Sequence, residues 1–245
     1  MPEDKPKLRV LDLFSGIPLG GFSLGLERTG GFETVAFCEI EPFPRRVLAK
    51  HWPEVPIYDD VRTLTAGVLE RDGIGVDVIT GGFPCQDISV LGRRAGLEGE
   101  RSGLWSEIIR LVRDLGPQFV LLENSASLCV RGLDRVCADL AASGYDAEWD
   151  GLPAAALGAR HLRAREWVLA YPSGFGQRLQ NKTIFAGRHP VEPSDWWQTE
   201  PDLDRVADGV PSQVDRHHCL GNAVVPQIPE LIGRAILSSQ DRSAA

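Results

Sequence analysis

Short apolar runs that do not alternate with polar residues constrain this chain's fold more than any other feature. They are LRVLDLF (Leu8 to Phe14), TVAFCE (Thr34 to Glu39), VDVITGGF (Val76 to Phe83) and FVLLEN (Phe119 to Asn124). Unbroken hydrophobicity over such lengths is what strands covered on both faces require, as in a parallel sheet. Helical spacing lies between them. Leu104, Ile108, Leu111, Val112 and Leu115 form one apolar stripe, and Leu133, Val136, Cys137 and Leu140 form another, with Cys137 in the core. This alternation predicts an α/β fold, a doubly wound sheet with right-handed crossovers. Ligands of such sheets bind at the carboxyl ends of the strands.

After EWVLAYP (Glu166 to Pro172) the pattern stops. Residues 173–216 are rich in Pro, Gly, Trp and charge and follow neither period, and some 40 residues hold no independent core. They read as a small irregular lobe leaning on a main domain of residues 1–172. Residues 217–245, with GNAVVPQIPELIGRAILSS, return to helical spacing and predict a C-terminal helix packed back on the sheet. With 26 Lys and Arg against 34 Asp and Glu, the net charge is −8. That excludes a globally basic nucleic-acid binder but not a local basic face. The five cysteines (Cys38, Cys85, Cys129, Cys137, Cys219) are scattered, without the pairs of a zinc site or a disulfide framework. No metal is expected. MPEDKPKL lacks a signal-like apolar stretch, and no run approaches the ~18 apolar residues of a membrane span. A soluble, intracellular protein without a membrane partner is expected.

Four constellations could carry chemistry. First, β-type run and turn combine in DLFSGIPLGGFSLGLE, where Gly16, Gly20 and Gly21 permit close backbone approach to a ligand. Glu39, ending the next strand, is placed to accept from ribose hydroxyls, which suggests an adenosine-containing cofactor; a packing turn satisfies the same pattern. Second, a strand delivers Pro84 and Cys85 onto the polar loop GGFPCQDISVLGRRAGLEG, with Arg93 and Arg94 nearby. An ordinary thiol is only a few per cent thiolate near neutral pH, and cationic surroundings raise that fraction. Cys85 is thus either a nucleophile or a structural thiol. Third, Glu123 in LLENS ends an apolar strand, where a carboxylate must be paired or functional; holding a proton, it could bind the edge of a base. Fourth, GARHLRARE sets Arg160, Arg163 and Arg165 together without an acid. On a strand, Arg163 and Arg165 would share one face; a solvated basic surface is the alternative.

In order, FSG…GG, GFPCQ, EN, RxR and GNAVVP resemble the DNA (cytosine-5) methyltransferases over nearly the whole chain except about Ser173 to Arg216. The resemblance implies a Rossmann-like domain that uses S-adenosylmethionine and releases S-adenosylhomocysteine, plus a small target-recognition lobe, with double-stranded DNA as partner. It implies that Phe14 and the turn Gly16 to Gly21, with Gly20, form the cofactor loop. Glu39 would meet the ribose, Ile40 the adenine face, and Asp60 with Val61 the adenine amine. Pro84 and Leu104 would touch the cofactor, and Asn222 with Ala223 would close its site. Cys85 matches the nucleophile, Glu123 the acid gripping a flipped cytosine, and Arg163 and Arg165 the pair around base and phosphate. Gln86, Ser89, Arg93 and Arg94 would lie on a loop closing over DNA, and Arg178 and Lys182 on the basic half of the lobe.

The chemistry explains these residue types. Carbon 5 of cytosine is a poor nucleophile; thiolate addition at carbon 6 makes it electron-rich, and an acid at ring nitrogen 3 stabilises the adduct. Reaching both faces of the base requires it to leave the stack, at a few kcal/mol. FSGIPLGG carries Pro18 and Leu19 where the family has a shorter turn, ENS stands for ENV, and His161 for Gln. The short lobe predicts a recognition sequence of roughly two to four base pairs, read by few base-edge contacts. Its Trp196 and Trp197 suit lobe packing better than wedging. A monomer in the cytoplasm of a prokaryotic or phage-infected cell, of restriction-modification type, is the expected setting. A catalytically impaired DNA-binding relative and an RNA methylator are the alternatives. A dinucleotide oxidoreductase would leave Cys85, Glu123 and the arginines without a joint role.

Overall fold

A computed structural model describes residues 6–16, 21–83, 103–159, 162–175 and 223–243. In chain order the elements are β1 (Leu8–Leu13), α1 (Phe22–Glu27), β2 (Phe32–Cys38), α2 (Pro42–His51), β3 (Ile57–Tyr58), α3 (Ala66–Arg71) and β4 (Val78–Gly82). There follow α4 (Gly103–Leu115), β5 (Phe119–Ser125), α5 (Leu128–Arg131), α6 (Leu133–Ala142), β6 (Tyr145–Gly151), β7 (Arg165–Pro172) and α7 (Gln227–Ser243), with a 3-10 turn at Ala154–Leu157.

The strands form one seven-stranded sheet in the order β3-β2-β1-β4-β5-β7-β6. From β3 to β5 every pairing is parallel. The α/β class expected from the apolar runs is therefore present. β7, however, runs antiparallel to both of its neighbours. The link between β6 and β7 contains only the 3-10 turn among its described residues, with no helix to make a parallel crossover, so the chain turns back on itself. One consequence reaches the site: β7 begins, at Arg165, on the edge where the parallel strands end.

Alternating side chains of each strand divide the core in two. Leu11, Leu13, Ile79, Val120, Leu122 and Val168 pack with Leu69 of α3, Ile108, Leu111 and Val112 of α4, and Val136 and Leu140 of α6. Their neighbours Val10, Val78, Phe119, Leu121, Trp167 and Leu169 pack on the other face with Phe22 and Leu26 of α1 and Ile228, Ile232 and Ile236 of α7. Cover on both faces is the physical reason the runs lack polar alternation. Cys137 differs from expectation in degree: it is half-buried, at the margin of the first cluster. Contact between α1 and the chain entering α7 is close, since a Cβ on Gly25 would stand 2.1 Å from the Pro226 carbonyl oxygen.

From β1 the chain moves outward to β2 and β3, then returns on the other side of β1 as β4. That reversal opens a crevice beyond the carboxyl ends of β1 and β4, the usual ligand position in such sheets. The segments after Leu13 and Gly82 both leave there.

Candidate active site

On the β1 side, the turn is held in an unusual backbone conformation. Phe14 has φ of 54° and Gly16 of 58°, and among the described non-glycine residues only Phe14 and Arg163 are positive. The Phe14 N–H donates to the Cys38 carbonyl at 2.8 Å, tying the turn to the end of β2. Glu39 completes the tie: its carboxylate accepts from the Gly16 N–H and from the Glu41 N–H, each at 2.8 Å. A carboxylate has about four acceptor sites, so this buried group keeps capacity for hydroxyl donors. Beside it Ile40 is 58% exposed, a large apolar side chain without cover. Among the described residues a Cβ on Gly16 would meet nothing nearer than 3.9 Å, so these residues leave the approach to the turn open. Acceptor, apolar face and open turn together fit a nucleoside such as that of S-adenosylmethionine.

Other residues expected here are placed differently. The Asp60 carboxylate is taken by Arg62, whose Nε and terminal nitrogen donate at 2.9 and 2.7 Å. Val61 turns its side chain into the core at 4% exposure, and its carbonyl accepts from Arg110 at 3.0 Å. As an apolar group, the Val61 side chain gains more by packing under α4 than by facing the crevice. Leu104, partly buried near the start of α4, also packs against the core. Beneath the turn lies a residue that sequence reasoning missed. Asp12 is 1% exposed and accepts from Ser23 Oγ at 2.7 Å and Thr80 Oγ1 at 2.8 Å. Burial, and to a lesser extent the Glu39 charge, push its carboxyl up to about 6 against those two bonds. An acid inside an otherwise apolar strand was the signal that could have found it.

On the β4 side, register sets the geometry. Gly82, the last residue of β4, pairs with Glu123 of β5. A Cβ at Gly82 would lie 3.3 Å from Glu123 Oε2, so the absence of a side chain there gives the carboxylate its room. Arg165 Nε meets Glu123 Oε1 at 2.8 Å. Burial raises the Glu123 carboxyl above its ordinary value, partly offset by the charges of Arg165 and Arg163. Asn124, another residue whose part was not foreseen, donates from Nδ2 to the Phe83 carbonyl at 2.9 Å. It thereby fixes the last described residue before Pro84 and Cys85.

The arginine pair does not share a strand face. β7 starts at Arg165, and Arg163 precedes it with φ of 34°. That left-handed turn sends its guanidinium to the Ala223 carbonyl. Pro84, Cys85, Gln86, Ser89, Arg93, Arg94, Gly20, Asn222, Arg178 and Lys182 lie outside the described residues, as do Pro18, Leu19 and most of the expected lobe. Among the described residues no group of three His, Cys, Asp or Glu side chains could hold a metal. No described helix is long and apolar enough to cross a membrane.

Known proteins can now be set beside this geometry. The chain is 31% identical over 238 residues to the Type II methyltransferase M.CviJI of Paramecium bursaria Chlorella virus IL3A, covering 96% of this chain and 58% of that protein. It is 32% identical over 222 residues to the Type II methyltransferase M2.BsuMI of Bacillus subtilis, covering 87% and 50%. It thus spans little more than half the length of these relatives. The solved S. pombe Dnmt2 methyltransferase superimposes with a TM-score of 0.69 at 16% identity, over 95% of this chain and 99% of that one, a likeness of fold. The family model of the C-5 cytosine-specific DNA methylases matches residues 8–208. This chain belongs to that family.

Proposed function

We propose that the chain methylates carbon 5 of cytosine in double-stranded DNA, through a transient bond between Cys85 and carbon 6 of a flipped base. The observation that supports this best is the pairing of Glu123 with Gly82, three residues before Cys85, under a 2.8 Å contact from Arg165. A buried acid with a raised affinity for its proton thus pairs with the end of the strand that leads, three residues on in sequence, to a cysteine.

S-adenosylmethionine, when bound, supplies an electrophilic methyl group on a sulfonium sulfur. Glu39 would accept from its ribose hydroxyls and Ile40 would cover its adenine; Asp60 would reach the adenine amine on yielding Arg62. On the base side, the Cys85 thiolate adds its electron pair to carbon 6. Glu123 holds its proton toward ring nitrogen 3, stabilising the charge that addition moves into the ring. Arg165 keeps the Glu123 carboxyl oriented and limits how far burial raises it. Once carbon 5 is alkylated, it gives up its proton to a water molecule acting as base, the electron pair re-forms the double bond, and the Cys85 sulfur leaves as thiolate. Asn124 holds the strand end from which Pro84 and Cys85 depart.

Labelled S-adenosylmethionine and duplex DNA test the reading. The expected result is label in DNA as 5-methylcytosine, with turnover cut ~10²-fold or more by Glu123→Gln, the scale of general-acid and electrostatic contributions. Label in RNA alone would contradict the substrate assignment, and a wild-type rate for Glu123→Gln would remove the role of that acid.

A further inference from the structure

One side chain spans from the Glu123 side of the crevice to the chain that enters α7. Arg163 is half-buried, in a backbone conformation that costs an arginine energy and persists only where surroundings enforce it. On one side it feels the charges of Arg165 and Glu123. On the other it donates to the carbonyl of Ala223, 60 residues further along the chain. The stretch from Ala223 to Pro226 is confined from behind as well. The Pro226 oxygen would stand 2.1 Å, and Pro229 Cβ 2.9 Å, from a Cβ on Gly25. Gly25 belongs to α1, which follows the glycine turn directly.

We infer that Arg163 is a positioning residue for cofactor binding: its bond to Ala223 holds residues 223–226 against α1, the helix that follows the glycine turn, before any DNA arrives. The inference rests on the proposed function, since the family resemblance gives Ala223 its cofactor role. It differs from a part in gripping base or phosphate alone. A phosphate contact acts only when DNA is present. A bond between two parts of the protein acts on the cofactor site without it.

Calorimetric binding of S-adenosylhomocysteine, in the absence of DNA, separates the two. Arg163→Ala should weaken binding about 10-fold or more, the scale of losing a charge-assisted hydrogen bond. Arg163→Lys, which keeps a donor able to reach the carbonyl, should stay within about 3-fold of wild type. Should Arg163→Ala not fold, the contrast between Arg163→Lys and Arg163→Gln, whose shorter side chain falls back from Ala223, decides in the same way. A folded Arg163→Ala that binds S-adenosylhomocysteine like wild type and loses only DNA affinity overturns the inference. A wild type that binds none overturns the proposed function with it.

Discussion

Asp12 lies beneath the turn that follows β1, fully buried, and among the described residues its partners are two hydroxyls and the Ser23 backbone, with no cation. Its carboxyl is raised from 3.8 to about 6. The native state therefore holds a proton that the unfolded chain has already released between about pH 4 and pH 6. Stability from this group is greatest at the acid end of that window and falls as pH rises through it. Two pKa units correspond to about 3 kcal/mol. In urea titrations, wild type should lose up to about 3 kcal/mol relative to Asp12→Asn between pH 4 and pH 7; a difference that stays flat would contradict the buried, proton-holding carboxyl. At this scale the sequence was legible where an acid ends an apolar strand, as Glu39 and Glu123 do. At Asp12 the signal, an acid inside an apolar run, was present and passed over; at Asn124 there was none. The work of Asn124 depends on a carbonyl of the neighbouring strand, and no spacing along the chain announces that partner. Arg163 misled for a related reason: alternation placed it on a strand that in fact starts two residues later.

Among the elements, the strands with continuous apolar runs could be read with near-correct limits because both of their faces are covered. β6 could not. Its residues YDAEWDG are mostly polar and half-exposed, and its place comes from pairing with β7 at the margin of the sheet. The two-residue β3 is too short to show a period at all. The contact between α1 and the chain entering α7 was likewise hidden, because nothing local to Gly25 indicates which carbonyl lies against it. The structure assigns that glycine a steric task, with room for a hydrogen and not for a methyl group. Gly25→Ala must push α1 and the Pro226 backbone apart. Overpacking of this kind costs about 1–3 kcal/mol, a fall in Tm of roughly 3–10 °C for a chain of this size. A thermal melt within 1 °C of wild type would show that the helix pair yields at no cost.

For the whole molecule, topology explains why residues distant in sequence converge. The reversal at β1 and β4 places the turn after β1 and the segment after β4 around one crevice, and the antiparallel β7 brings Arg165 to the same edge. A net charge of −8 works against a polyanionic partner, so the proposed DNA binding would depend on local cations and fall steeply with salt. The expected loop from Gln86 to about Glu100 and the part of the lobe containing Arg178 and Lys182 lie outside the described residues. The central claim, a covalent bond from Cys85 to the base, can be measured directly. Duplex DNA carrying 5-fluorocytosine, whose fluorine cannot leave as the proton does, should trap the protein in the presence of S-adenosylmethionine. Mass spectrometry should locate the adduct on the peptide containing Cys85, and Cys85→Ser should form none. An adduct that survives Cys85→Ser, or none from wild-type protein that methylates cytosine in DNA, would contradict the account.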